Sequence, residues 1–360
     1  MAPERSCAFA PGRVNLIGEH TDYNGGLALP FAIAQGVTVR AETTRGDSGL
    51  AGTIEAHARD LQESDEFTLA EPSPADGWRA FVRGVVAELG RAGYPLCGAR
   101  LEISGDVPQG SGLSSSAALE VALCLALAEL GSKSSEGRED GRHVALDRRD
   151  IARLCARVEN EWVGAHTGLL DQLASLFGAP DTALRIDFAT LEIEPVPLVL
   201  DGWRLVILDS GERHAHASSG YNERREECAR ACMLLGVDSL SEGSAHAVAQ
   251  LPEPLRLRAE HVLGENRRVR EAVAALRTED LATIGVLLDA SHESLRDLFE
   301  ISTPAVEAAV ARLRSAGAAG ARMVGGGFGG SILGLFAPDV PPPPDTLEVR
   351  PGPGAHLLET

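Results

Sequence analysis

Arg13, Asn15, Glu19, His20, Asp22 and Tyr23 fall within residues 12–24, GRVNLIGEHTDYN. A guanidinium, an amide, two carboxylates, an imidazole and a phenol are poor material for a core, because each polar group taken from water must find a partner. They suit a pocket for a ligand rich in hydroxyls. Apolar runs lie on either side, CAFAP before and LALPFAI after, so the polar residues are anchored beside the core. A second stretch, residues 106–118 (DVPQGSGLSSSAA), leads into an apolar helix expected over 117–130. Gly110 and Gly112 let the backbone come close to a ligand, and Ser114, Ser115 and Ser116 offer hydroxyls at the helix start. Backbone N–H groups and the helix dipole there make an anion site. The Gly-Lys-Ser/Thr ending of a Walker A loop is absent, and a serine-capped helix after a glycine turn remains open on residue types alone. A third stretch, residues 323–336 (MVGGGFGGSILGLF), sets five glycines around one phenylalanine. Glycine inside an element costs roughly 0.5–1 kcal/mol, so close approach of this backbone to a ligand or to the serine loop is the expected reason.

The elements that must hold these residues belong to an ordinary globular chain. It has 360 residues, 44% hydrophobic and 24% charged, enough for two domains each with a core. A formal net charge of −19 argues against nucleic-acid or anionic-membrane partners. Any phosphate site must then be made locally, from backbone dipoles, a metal and a few basic residues. The six cysteines are scattered, which suggests buried reduced thiols. Cys228 and Cys232, four apart, and His214 and His216, two apart, are read as structural, since no second ligand pair follows. No signal sequence is visible in MAPERSCAFA, and the apolar run AALEVALCLALAEL carries two glutamates and is too short to span a bilayer. The expectation is a cytoplasmic monomer.

Alternation over 36–44 and 101–104 predicts strands, as does WRLVILD at 203–209. Helical spacing of Trp78, Phe81, Val82, Val85, Val86 and Leu89 ends at Gly93, and a second helix buries Ile151, Leu154, Cys155, Val158 and Trp162. Glu159 falls near the buried stripe of that helix. Residues 131–143 read as a surface loop, and helices are expected over 254–276 and 304–316, the latter capped by Thr303 and stopped by Gly317. Pro341–Pro344 make a stiff loop before a last strand. The proline-flanked EPVPLVLDG suggests a domain junction, dividing the chain into 1–194 and 195–360. Strands and helices mix without a regular βαβ repeat, which favours α+β.

The three stretches, in this order, resemble the signature motifs of the galactokinases, members of the GHMP kinase superfamily. The likeness continues through TGLLDQ (167–172), ASSGYNERREEC (217–228), HVLGENRRV (261–269) and SHESLRDLFEIS (291–302), nearly the whole chain. It implies the two-domain GHMP kinase α+β fold, with an N-terminal domain like domain 2 of ribosomal protein S5 and a ferredoxin-like C-terminal domain. It further implies transfer of the γ-phosphoryl group of ATP, with Mg2+, to the anomeric hydroxyl of D-galactose. By that resemblance Asp22 faces O3 and O4 of the sugar, Glu19 and His20 face O6, and Tyr221 and the Gly168 backbone complete the pocket. Asp171 matches the catalytic aspartate and Arg13 the arginine beside the anomeric hydroxyl. Gly110, Ser111, Gly112, Leu113, Ser114, Ser115, Ser116 and Ala117 would cradle the ATP phosphates, Ser116 and Glu159 would hold magnesium, and Trp78 would lie near the adenine. Asp171 as a mere cap of the helix DQLASLFG is the structural alternative. Asn15 and Tyr23 receive no role.

The sequence departs from the family pattern at Leu170, at Val324 and Ser331, in TPAVE (303–307) and around Trp78, where Trp-Arg-Ala-Phe leaves the adenine contacts open. Related kinases of N-acetylgalactosamine, galacturonate or arabinose are the nearest rivals. A non-catalytic galactose sensor is the rival of another class, disfavoured by the intact SSSAA and by Asp171.

Overall fold

The computed structural model describes residues 3–44, 52–108, 112–135, 147–165, 167–213 and 217–359. Along the first half run β1 (Arg5–Asn15), β2 (Leu27–Ala28), β3 (Pro30–Thr43), β4 (Thr53–Ala58), β5 (Glu63–Thr68), α1 (Trp78–Arg91), β6 (Ala99–Gly105), α2 (Ser115–Ser135), α3 (Arg148–Arg157), α4 (Leu170–Phe177), β7 (Thr182–Asp187) and β8 (Glu192–Pro197). The second half adds β9 (Arg204–Arg213), α5 (Ala217–Leu235), α6 (Ala245–Val248), α7 (Leu255–Arg277), α8 (Leu281–Asp297), α9 (Pro304–Ser315), β10 (Gly320–Val324), β11 (Gly329–Phe336), β12 (Leu347–Val349) and β13 (His356–Leu357).

The strands form a six-stranded sheet ordered β13-β1-β3-β6-β4-β5, a four-stranded sheet β10-β11-β9-β12 and a three-stranded sheet β2-β7-β8. All pairings are antiparallel except β4 with β6. This is the α+β mixture that the absence of a βαβ repeat implies. The last strand is β13, beyond the β12 that follows the proline loop, and it pairs with β1 at the other end of the chain. The expected division at 194/195 falls inside β8, whose pairing with β7 runs on to Pro197, so we propose a boundary just beyond that strand, with the tail crossing back to the first unit.

Helix α2 is apolar on every side because it lies between layers, against β1, β3 and α1. It is the one helix among the described residues long and apolar enough to cross a membrane, and most of it is buried inside the protein. It extends to Ser135, so the loop expected at 131–143 starts later; residues 136–146 lie outside those described, as do His214 and His216. Helix α1 ends at Arg91 before Gly93, whose φ is +82°, and Thr303 caps α9 by accepting from the Val306 N–H at 3.3 Å. One core fills the first half and another the second. A third joins them, packing Val14, Leu16, Phe31 and Ile33 against Val269, Val273, Leu288 and Leu333. The chemical residues sit along this seam.

Candidate active site

Strand β1 breaks its register between Pro11 and Arg13. There Gly12 lies so close to the serine loop that a Cβ would fall 2.6 Å from the Leu113 carbonyl, and the Arg13 N–H donates to that carbonyl at 3.0 Å. The first and second motifs are thereby joined backbone to backbone. The Arg13 guanidinium leaves β1 buried and points at Asp171, its Nε 2.7 Å and its Nη2 2.6 Å from Oδ1. Nη1 donates to the Gly112 carbonyl at 2.6 Å. The other carboxylate oxygen, Oδ2, accepts from Ser114 Oγ, and Ser114 is held at φ +58°. Asp171 sits in the first turn of α4, yet the residue before that helix, Leu169, makes no side-chain cap. Its carboxylate is committed to Arg13 and Ser114, so the helix-cap alternative finds no support.

A cavity of about 320 Å³ opens beside this pair, and its wall includes Arg13, Glu19, His20, Asp22, Gly168, Asp171 and Tyr221. The backbone of Gly325–Gly327 lines it too, as close approach of the glycine stretch to a ligand implies, and so do Thr167 and Asn222, which the sequence did not single out. Gly168 is required by geometry: a Cβ there would meet Asp22 Oδ2 at 2.0 Å. Burial, and then the Asp171 carboxylate, raise the Asp22 carboxyl to about 6. His20 takes a positive φ of +60°, a strained backbone for a non-glycine residue, and burial followed by His261 and Arg322 lower its imidazole to about 3. The ring is therefore neutral. Glu19 is tied down from both oxygens. Oε1 accepts from the Gly325 N–H at 2.9 Å and pairs with Arg322 at 3.2 Å, and Oε2 accepts from Asn15 Nδ2 at 3.1 Å. The glycine stretch thus approaches the first motif directly, and the serine loop as well, since a Cβ on Gly112 would lie 3.4 Å from the Val324 carbonyl.

Beyond Asp171, α3 passes into one π-helical stretch, Val158–Val163, a local widening often found at functional sites. It places Glu159 inward, 3% exposed. Glu159 Oε1 accepts from Ser116 Oγ at 3.0 Å, while Oε2 accepts from Gln172 Nε2 at 3.1 Å and from Thr167 Oγ1. Burial, then Asp171, push this carboxyl up. The wholly buried Glu120, one turn beyond Ser116 on α2, is pushed well up by burial and then by Glu159. A buried carboxylate held only by neutral donors is a natural seat for a cation, and Ser116 adds a second hard oxygen. Among the described residues no cluster of three His, Cys, Asp or Glu could hold a metal alone. A cation at Ser116 and Glu159 would take its remaining ligands from phosphate and water, as magnesium does.

Ser115 and Ser116 also edge a second cavity, about 740 Å³, between β6, α1 and the start of α2. Trp78 stands in its wall, half-buried, with Nε1 2.9 Å from Glu63 Oε2. Of the loop residues expected to cradle phosphate, Ser115 and Ser116 line this cavity, Gly112 and Ser114 are bonded to Arg13 and Asp171, Leu113 and Ala117 have their side chains buried in the core, and Gly110 and Ser111 fall outside the described residues.

Three family models match the chain: the galactokinase galactose-binding signature over residues 2–43, the GHMP kinases N terminal domain over 80–179 and the GHMP kinases C terminal domain over 272–345. A galactokinase of Mycobacterium tuberculosis is 44% identical over 339 residues, covering 92% of this chain and 88% of its own. One of Thermotoga neapolitana is 40% identical over 327 residues, covering 91% and 88%. The chain belongs to the galactokinase family. It is an ATP-dependent sugar kinase of the GHMP fold. The crystal structure of Lactococcus lactis galactokinase complexed with galactose superposes with a TM-score of 0.86 at 32% identity, over 99% of this chain and 95% of that one. Methanococcus jannaschii mevalonate kinase, at 20% identity and a TM-score of 0.66, shares the fold.

What the motifs did not show is the support beneath the smaller cavity. Arg322, wholly buried, donates through Nη1 to the Asn15 and Leu16 carbonyls, both at 3.0 Å, besides pairing with Glu19. Glu265 Oε1 accepts from the Gly18 N–H at 3.0 Å and from Ser291 Oγ at 2.6 Å. Burial alone would raise Glu265, but Arg268, then His261 and Arg322, hold it down to about 2. Asn15 gains its role here as the clamp on Glu19. The one signal in the sequence was the family resemblance of HVLGENRRV, which contains Glu265 but assigns it no role, and nothing marked Arg322.

Proposed function

We propose that the protein phosphorylates D-galactose at its anomeric hydroxyl, giving α-D-galactose 1-phosphate and ADP. The observation that carries this reading is the Arg13–Asp171–Ser114 cluster, set where the 320 Å³ cavity meets the serine loop. The sugar would lie in that cavity with its anomeric hydroxyl against Asp171. ATP would lie in the 740 Å³ cavity, with its phosphates over the start of α2. In the reaction the anomeric oxygen forms a bond to the γ-phosphorus, the bond from that phosphorus to the β–γ bridging oxygen breaks, and ADP leaves. The hydroxyl proton passes to Asp171, a role typically worth about 10²–10⁴-fold. Arg13 stabilises negative charge gathering on the sugar oxygen and fixes the aspartate's orientation.

Asp22 as a carboxylate accepts from two sugar hydroxyls, and Tyr221 closes the wall. Trp78 supplies an aromatic face in the adenine region. Ser116 and Glu159 would hold magnesium, which when bound neutralises charge on the phosphate oxygens. Six free thiols support a reducing, cytoplasmic setting, and we propose that the enzyme acts as a monomer, to be checked by light scattering.

The test is ADP release by the purified protein across a panel of sugars. Turnover with galactose well above galacturonate and N-acetylgalactosamine is expected, because the carboxylates of Glu19 and Asp22 repel an acidic sugar. No turnover with galactose, beside turnover with another sugar, would overturn the substrate. Galactose binding without any turnover would move the reading to a sensor.

A further inference from the structure

We propose that the Tyr23 hydroxyl fixes the His20 ring in the tautomer protonated at Nε2, making that nitrogen a hydrogen-bond donor into the sugar cavity. The inference rests on the galactose-kinase reading, in which His20 faces the 6-hydroxyl of the sugar. His20 is in the cavity wall and Tyr23 stands behind it, with its Oη 2.7 Å from Nδ1. One proton lies between those two atoms. If Nδ1 held it, the phenol would need another acceptor for its own hydrogen, and among the described residues the phenol has no other hydrogen bond. If Tyr23 donates, every proton is placed, and the ring's hydrogen must be on Nε2.

Nε2 is buried and without a partner among the described residues. An N–H left so would cost about 1–3 kcal/mol unless a ligand oxygen meets it. The ring cannot turn away. Its centroid is 4.6 Å from that of Phe299 and 5.4 Å from that of Tyr221, and Asn24 Nδ2 pins its backbone carbonyl at 2.7 Å. Burial keeps both groups neutral, lowering the imidazole and raising the phenol. The cavity thus offers a fixed donor at His20 and a carboxylate acceptor at Asp22. Tyr23 does not touch the sugar; it acts through His20 as a positioning residue.

Two measurements on the full-length protein test this. In histidine labelled with nitrogen-15, and with His20 assigned by signals lost in His20→Gln, the His20 resonances should report the Nε2-protonated tautomer in the wild type and a changed tautomer balance in Tyr23→Phe. A wild-type ring protonated at Nδ1 would overturn the inference whatever the kinetics show. In the second, Tyr23→Phe should raise KM for galactose about three- to tenfold, the worth of one hydrogen bond, with kcat within twofold and KM for 6-deoxy-D-galactose unchanged. An equal rise for both sugars would mean simple loosening and would overturn it. If the wild type does not distinguish the two sugars, the placement of O6 at His20 fails, while the tautomer remains decided by the nitrogen shifts.

Discussion

The two cavities are built differently. The sugar cavity is held by buried groups that reach across the chain: Arg322 to Glu19 and the 15–16 carbonyls, Glu265 to the Gly18 N–H, Asn266 Oδ1 to the Leu27 N–H at 2.8 Å. The nucleotide cavity is held at its rim by near neighbours at the surface: Trp78 to Glu63, and Arg79 to Glu63 at 3.0 Å. The difference matches two tasks. Reading hydroxyl positions on a small polyol needs donors and acceptors that cannot move, and buried polar groups bonded across the chain provide that. Holding a nucleotide that must leave as ADP needs apolar area and helix-start N–H groups, which tolerate looser walls.

The Arg13–Asp171–Ser114 cluster, our proposed reacting centre, adjoins the smaller cavity, and the largest effect is expected there. Asp171→Asn should lower kcat about 10²–10⁴-fold while leaving galactose affinity within about tenfold. Retained turnover would remove Asp171 as the proton acceptor. The comparison itself is tested by paired arginine substitutions. Arg322→Met strips a buried partner from Glu19 and a donor from the Asn15 and Leu16 carbonyls, and should cost about 3–5 kcal/mol in a urea melt. Arg79→Met, on the half-exposed nucleotide side, should cost no more than about 1 kcal/mol. Equal costs would mean that the two cavities are not held in different ways.

This contrast also sets what the sequence could show. Residues 12–24 were legible because six polar types stood together between apolar runs, and the five glycines of the third stretch were legible because packing alone does not explain them. The structure adds the reason: Gly325 reaches Glu19 and Gly112 lies against Val324. Arg322 and Glu265 were not legible, because each acts on residues about 250–300 positions away. Nothing periodic connects such pairs. The π-helical stretch at Glu159 was also hidden, since helical spacing placed that residue near the buried stripe but could not show the local widening. The tail's return to the first unit carries no motif, and the β13 pairing with β1 and the Pro351 bridge to Ile33 reveal it.

A smaller effect should come from pH, and on the sugar side alone. On our proposal Asp22 accepts from both sugar hydroxyls as a carboxylate, and its carboxyl is raised to about 6. At pH 8 nearly every molecule is ready; at pH 5 about one in ten is, from the tenfold change per pH unit below the pKa. KM for galactose should therefore rise about tenfold between pH 8 and pH 5, with KM for ATP changing much less. Asp22→Asn, which cannot ionise, should lose this slope along with much of its affinity. A flat galactose KM in the wild type would mean that Asp22 binds as the acid or that another group reads O3 and O4.

The smallest expected effect falls on the looser cavity. Trp78 is half-buried, with Nε1 bonded to the exposed Glu63 and the Arg79 guanidinium 5.0 Å from its ring centroid, so its stacking face is only partly desolvated. Aromatic contacts of this kind are worth about 0.5–1.5 kcal/mol beyond their area. Trp78→Leu keeps an apolar side chain and removes the flat face. It should raise KM for ATP about three- to tenfold and leave KM for galactose and the thermal midpoint nearly unchanged. If ATP affinity is unaffected, the nucleotide base does not lie against this wall. If galactose affinity moves with it, the two cavities are coupled through the serine loop, and the separation between a rigid sugar side and a yielding nucleotide side would have to be given up.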